Sequence, residues 1–342
     1  MRLLLVHPGA SWAVHDVHTG LLAGLRAQGH EVTEYALSGR LHASRVTLEY
    51  LWRTQVRSGG PLAEVRPTPA DVQYHAGKDV LERALRDDAE WVIVVCAAYL
   101  HPDCLILCRR AGLRLAAVFT ESPYDDAEQA KVAPLFDVVL TNERTSVDRL
   151  RAANPNTHYL PMGYDPAAHG PGGNGEAPAH DVVFVGTGFD SRVSLLCRVD
   201  WSGIDLGLYG AWEPVPEGHP LAPFVHPGLV DNARAGELYR KARIGLNLYR
   251  GTGGAPAESL NPRAYELAAD GVFTVAQPRA EQTERLGGSV ATFTTPPQLE
   301  EAIRTHLADA WRRRRTAEAL PALVAEDTYH HRAARLVAHL SE

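Results

Sequence analysis

Glu258, Arg263 and Glu266 lie in one short stretch that also carries a helix-start signature, Asn261-Pro262. Asparagine caps a helix because its side chain accepts a hydrogen bond from an early backbone N–H. Proline suits the first helical position, where its missing N–H would have had no intrahelical partner. A helix is therefore expected from Pro262. Gly271 can take the left-handed conformation that closes it, and the apolar run Val272 to Ala276 follows as a strand. Glu258 then sits in the loop before the helix, Arg263 near the positive end of the helix dipole, and Glu266 one turn inside. Free amides and a guanidinium suit a diphosphate, and carboxylates suit sugar and ribose hydroxyls. Together with Ser259 and Asn261, these residues have the chemistry of a nucleotide-sugar site.

The elements that must position this set are parallel strands. The run Ile244 to Tyr249 and the loop Gly251-Thr252-Gly253-Gly254 precede it, and loops at the carboxyl ends of parallel strands are where open α/β sheets bind ligands. Strand-like apolar runs alternate with helix-length segments almost throughout, the pattern of doubly wound β/α units. In the first half, strands are expected at Leu3 to His7, Glu31 to Ala36, Trp91 to Cys96, Leu115 to Phe119, Val138 to Thr141 and His158 to Leu160. The Gly-rich stretch Gly170 to Gly175 breaks the pattern, which resumes at Asp181 and continues with Asp205 to Tyr209, Ile244 to Leu248, Val272 to Ala276 and Val290 to Phe293. Helices are expected at Val14 to Gln28, Ser44 to Arg57, Asp71 to Asp87, Arg192 to Val199 and Asn232 to Ala242. Two more are expected at Leu299 to Arg315 and Ala317 to His339. The expected division is 1–168, a linker 169–180, a second domain 181–322, and a final helix 323–342.

The 342 residues are 45% hydrophobic and 22% charged, an ordinary globular composition long enough for two cores. A formal net charge of −7, with only Arg312 to Arg315 as a basic run, argues against nucleic acid as a partner. No apolar window is long enough for a membrane span, so a cytoplasmic protein with no integral membrane association is expected. Cys96, Cys104, Cys108 and Cys197 are expected to be reduced and buried.

Three motifs in fixed order carry a resemblance. They are Phe184-Val185-Gly186-Thr187-Gly188-Phe189 with Ser191-Arg192, Leu238 to Asn247, and Ser259 to Glu266 with Gly271-Val272-Phe273. The chain resembles the GT-B glycosyltransferases nearly end to end, in particular CgeB-like proteins and the retaining Glu-x7-Glu family. That resemblance implies two Rossmann-like domains facing a cleft, with the second holding a nucleoside-diphosphate sugar of uridine or guanosine type and the first holding an acceptor. It also implies hexosyl transfer with retention, no cofactor, and a final helix 323–342 that crosses back to the first domain; no Asp-x-Asp follows a strand in the second domain, so no essential metal is expected. By analogy, Glu266 binds ribose hydroxyls, Glu258 stands beside the donor sugar, and Arg192 and Arg263 neutralise the diphosphate near Gly186 and Gly188. The family's usual lysine after Arg192 is missing, and Lys241 or Arg263 is the candidate replacement.

The remaining candidates fall on other loops. His7, His15 and His18 lie in or just beyond the first strand-to-helix loop, which in a two-domain cleft enzyme points at the acceptor. His101 resembles the cleft histidine of retaining relatives, and Glu121 and Asp125 follow the next strand as candidate base or acceptor contacts. Tyr209 could stack on the base, and in relatives the loop containing Gly228 and Leu229 holds its edge. Three other readings compete: an epimerase or hydrolase of nucleotide sugars, a non-enzymatic binder, and a nicotinamide enzyme suggested by Gly186-x-Gly188. The acceptor, whether small molecule or macromolecule, and the oligomeric state are not encoded in any motif.

Overall fold

The computed structural model describes residues 1–9, 14–172, 178–226, 228 and 230–341. The chain divides into two compact units, one formed by Met1–Pro161 with Arg332–Glu342 and the other by Met162–His331. Each contains a six-stranded sheet in which every pairing is parallel.

In the first unit the strands are β1 (Arg2–His7), β2 (Glu31–Ala36), β3 (Trp91–Val95), β4 (Arg114–Phe119), β5 (Val138–Thr141) and β6 (Thr157–Tyr159), in spatial order β2-β1-β3-β4-β5-β6. Strand β3 is buried at every residue, as a central parallel strand covered on both faces must be. In the second unit they are β7 (His180–Val185), β8 (Leu206–Tyr209), β9 (Val225–His226), β10 (Ala242–Asn247), β11 (Thr274–Ala276) and β12 (Ala291–Thr292), in order β12-β11-β10-β7-β8-β9.

Alternation along β7 shows why helices cover both faces of this second sheet. Val182 and Phe184 enter one core cluster with Leu206, Leu208, Ile244 and Leu246. Val183 and Val185 point the other way, into a cluster with Leu238, Tyr239 and Leu267 from flanking helices. Both faces are apolar, so both must be covered.

The structure corrects several boundaries. The single helix expected over Asp71 to Asp87 is two, Pro69–Gly77 and Val80–Arg86. The tail forms three helices rather than two: Pro296–Ala308, Ala310–Leu323 and Tyr329–Ser341. Asp309 makes the first break, since its side chain accepts from the Arg312 N–H at 2.9 Å and so starts a new helix. Strand β9 has two residues, too few to show a period. Cys197 is exposed, contrary to expectation, because it falls at the carboxyl end of the Asp190–Leu196 helix; Cys96, Cys104 and Cys108 are buried thiols. The stretch read as a linker from residue 169 opens on a buried residue, His169. Among the described residues no helix is long and apolar enough to cross a membrane.

Candidate functional site

The expected helix spans Pro262–Ala269, with Asn261 as N-cap accepting from the Ala264 N–H at 3.1 Å. Asn261 Nδ2 in turn donates to Asn247 Oδ1 at 2.9 Å, tying the helix start to the carboxyl end of β10. Gly271 closes the element with φ +66°. Pro262 has no N–H and the Ala264 N–H is taken by the cap, so the first turn's remaining amide belongs to Arg263.

The Arg263 side chain meets the turn after β7. Its guanidinium lies over the Phe184 ring at 4.5 Å, and its Nη2 occupies the space a β-carbon on Gly186 would need, 2.3 Å away. Among the described residues its buried Nε has no hydrogen-bond partner. Gly188 has a packing reason of its own, since a β-carbon there would fall 2.4 Å from Trp212 Cε3.

Glu266 is 7% exposed, and among the described residues no hydrogen bond reaches its carboxylate. Burial pushes its pKa up, and the charges of His169 and Arg263 pull against that. One turn on, Asp270 has no exposed side-chain surface and is fully engaged. It accepts from Arg240 Nη1 at 2.7 Å, from the Gly170 N–H at 2.9 Å and from His169 Nδ1 at 2.8 Å. The other ring nitrogen of His169 lies 2.6 Å from Asn232 Oδ1. Burial alone would lower the His169 pKa, but the Asp270 hydrogen bond and the charges of Glu266 and Asp270 outweigh it and push it up to about 9.

Other expected donor-side residues divide. Arg192 is 7% exposed, and its guanidinium donates to Thr187 O at 2.8 Å and Leu248 O at 2.7 Å, stapling the turn after β7 to the segment after β10. Ser259 is buried and Glu258 half-buried in the loop entering the helix, where Glu258 O accepts from the Glu281 N–H at 3.1 Å. Lys241 is not brought to this end. Its carbonyl accepts from the Ala179 N–H at 2.7 Å, placing it at the amino end of β10, beside the start of β7. Tyr209 turns the same way: its hydroxyl meets His180 Nε2 at 2.8 Å and its ring stacks on His226 at 4.4 Å. Gly228 is exposed with φ +118°, and Leu229 lies outside the described residues.

In the first unit, His7 at the end of β1 stacks on His18 with ring centroids 3.9 Å apart, and His15 meets His18 edge-on at 5.2 Å. His7 Nε2 lies 3.6 Å from Glu34 Oε2 and His18 Nε2 lies 2.9 Å from Gly9 O. Burial lowers the His7 pKa and takes that of His18 to about 4. These two rings are a neutral, packed pair, whereas His15 is exposed. His101 caps the Pro102–Arg110 helix, its Nδ1 accepting from the Asp103 N–H at 3.2 Å. Glu121 is half-buried and Asp125 exposed, both beyond the end of β4. Among the described residues no group of three or more His, Cys, Asp or Glu side chains could hold a metal.

Sequence reasoning missed His169, Asp270 and Asn247. Asp270 was detectable, being four residues after Glu266 and so on the same helix face. Asn247, fully buried at the end of an apolar strand, was a weaker signal. His169 was hidden, because it adjoins the Gly-rich stretch.

Two units, each a six-stranded parallel sheet with its helices, form the GT-B architecture. Residues 192–338 match a family model described as glycosyl transferase-like. Among solved structures, a sucrose-phosphate synthase from Thermosynechococcus elongatus is similar over 99% of this chain and 98% of its own, with a TM-score of 0.68 at 13% identity. An E. coli structure described as "Trehalose-6-phosphate from E. coli bound with UDP-2-fluoro glucose" is similar over 100% of this chain and 99% of its own, with a TM-score of 0.63 at 11% identity. A glycosyltransferase involved in avilamycin A biosynthesis covers 99% and 97%, with a TM-score of 0.59 at 19% identity. Comparison with curated proteins finds no match.

Proposed function

We propose that this protein transfers a sugar from a nucleoside-diphosphate sugar to an acceptor. The observation that carries the reading is the pairing of Arg263 with Glu266 at one helix start. The guanidinium, against the Gly186 turn, suits the diphosphate, and one turn deeper a carboxylate with no donor among the described residues suits ribose hydroxyls. The match to a glycosyl transferase-like family model supports this reading, as does the fold it shares with a neighbour bound to UDP-2-fluoro glucose.

Departure of a nucleoside diphosphate builds negative charge, and a fixed guanidinium with a helix-end amide stabilises that charge without reorganising. Each such donor contributes about 2 to 4 kcal/mol to lowering the barrier. The reading extends to a hexosyl donor of uridine or guanosine type and to retention of configuration, with the leaving phosphate accepting the proton from the acceptor. It needs no essential divalent ion. Glu258, in the loop ahead of the helix, is the side chain assigned to the donor sugar. The first unit, with Glu121 and Asp125 after β4, is assigned to the acceptor, and the protein is placed in the cytoplasm.

A thermal-shift screen of uridine and guanosine diphosphate sugars tests this directly, because a ligand that binds only the folded state raises the melting temperature. A rise with one class, followed by sugar transfer to a supplied acceptor, is expected. Stabilisation by no nucleotide sugar would overturn the reading, and release or isomerisation of the sugar at the same rate without acceptor would replace it with hydrolysis or epimerisation.

A further inference from the structure

His169 has no place in the sequence motifs, yet its side chain is fully enclosed, as is that of Asp270. A carboxylate can only accept, so Nδ1, 2.8 Å from Asp270 Oδ2, carries a proton. Nε2 lies 2.6 Å from Asn232 Oδ1, which accepts from it when the ring carries both protons. With an acceptor at each nitrogen the site suits an imidazolium. A buried cation of this kind persists only where anions surround it.

Two anions come from the Pro262–Ala269 helix and its end. Asp270 and Glu266 are four residues apart and share a face. Asp270 has Arg240 and the Gly170 amide as further donors, whereas among the described residues no hydrogen bond reaches the Glu266 carboxylate. Tyr239 also flanks the ring, with centroids 6.1 Å apart, while Arg263 of the same helix acts on Glu266. Tyr164, near Asp270, and Tyr239 both have their phenols pushed up by burial and stay neutral.

We propose that His169 is a positioning residue for the nucleotide site: held as an imidazolium between Asp270 and Asn232, it keeps the buried Glu266 ionised so that Glu266 can accept hydrogen bonds from the donor's ribose hydroxyls. This rests on the assignment of Glu266 under the proposed function. The physical need is plain, because burial drives a carboxyl toward its neutral form and a neutral carboxyl loses half its value as a double acceptor. Asp270 aims the ring, Asn232 fixes its far nitrogen, and the charge acts on Glu266 without a direct bond. The rise of the His169 pKa and the downward pull of His169 on that of Glu266 agree with this arrangement.

Two measurements on the full chain test it. In the ligand-free protein, nitrogen-15 spectra of the histidine rings should show His169 protonated on both nitrogens at pH 8, and Glu266→Gln should move its titration to lower pH. An unmoved titration overturns the proposal. Binding of UDP and GDP at pH 7.5 should weaken about ten-fold in His169→Gln and comparably in Glu266→Gln, with the double variant no worse than the worse single one. Effects that multiply in the double variant would mean that His169 acts elsewhere, and would also overturn it. If the wild-type chain binds neither nucleotide, the proposed function fails, and the ring titration still decides whether His169 and Glu266 are coupled.

Discussion

Arg263 and Gly186 share one space: the guanidinium of the first fills the volume where the second would carry a β-carbon. Glycine at 186 is required twice over, since its φ of +151° is one that residues with side chains rarely adopt. The arginine end is flexible and can be pushed aside. Gly186→Ala is therefore expected to fold with a modest loss of melting temperature and to lose about ten-fold in nucleoside-diphosphate affinity, as the displaced guanidinium forfeits a charge-assisted contact. Calorimetric titration with UDP and GDP checks this, and unchanged affinity would show that the guanidinium contacts no phosphate.

Arg192 was expected to face the diphosphate and is found bonded to two backbone carbonyls. Lysine cannot span both, so Arg192→Lys should cost about 1 to 3 kcal/mol of stability through an unsatisfied carbonyl. Well below the melting temperature, its nucleotide affinity should fall far less than that of Arg263→Lys. Urea denaturation and titration of the two variants side by side separate a staple from a ligand.

The two carboxylates of the proposed site should part company in kinetics. Glu266→Ala is expected to weaken donor binding, whereas Glu258→Ala should lower turnover more than affinity, because only the second is assigned to the sugar. Steady-state rates over a range of donor concentrations give both parameters. Equal, negligible effects would remove both residues from the site.

Two buried histidines give opposite pH signatures. His169 has its pKa raised from 6.5 to about 9 in the folded protein, so its contribution is complete below pH 6.5 and is lost as pH rises through about 9. His18 has its pKa lowered to about 4, so its contribution is complete above pH 6.5 and is lost as pH falls through about 4. Each contribution is of order 3 kcal/mol. Urea midpoints at pH 5, 7.5 and 9.5 should show the alkaline decline disappear in His169→Gln and the acid decline shrink in His18→Gln.

Much of this was written locally in the chain. The helix start at Asn261-Pro262, its end at Gly271 and the apolar strands depend on neighbours in sequence, so cap chemistry and periodicity expose them. Lys241 and Tyr209 misled because the sequence shows which element a residue belongs to without showing which end of the sheet it faces: Lys241 precedes its strand, and Tyr209 folds back along its own. That Arg192 satisfies two backbone carbonyls could not be read from the sequence, because a guanidinium serves carbonyls as readily as phosphates. His169 was illegible because its partners Asn232 and Asp270 lie far along the chain, and only the fold brings them together.

The last helix has a consequence for how the protein is made. His339 stacks on His158 at 4.0 Å and Arg335 reaches the Tyr159 carbonyl at 3.5 Å, so β6 is covered by residues translated more than a hundred and fifty positions after it. The amino-terminal body is discontinuous in sequence. A fragment cut after Pro161 would lack the residues that meet its outermost strand.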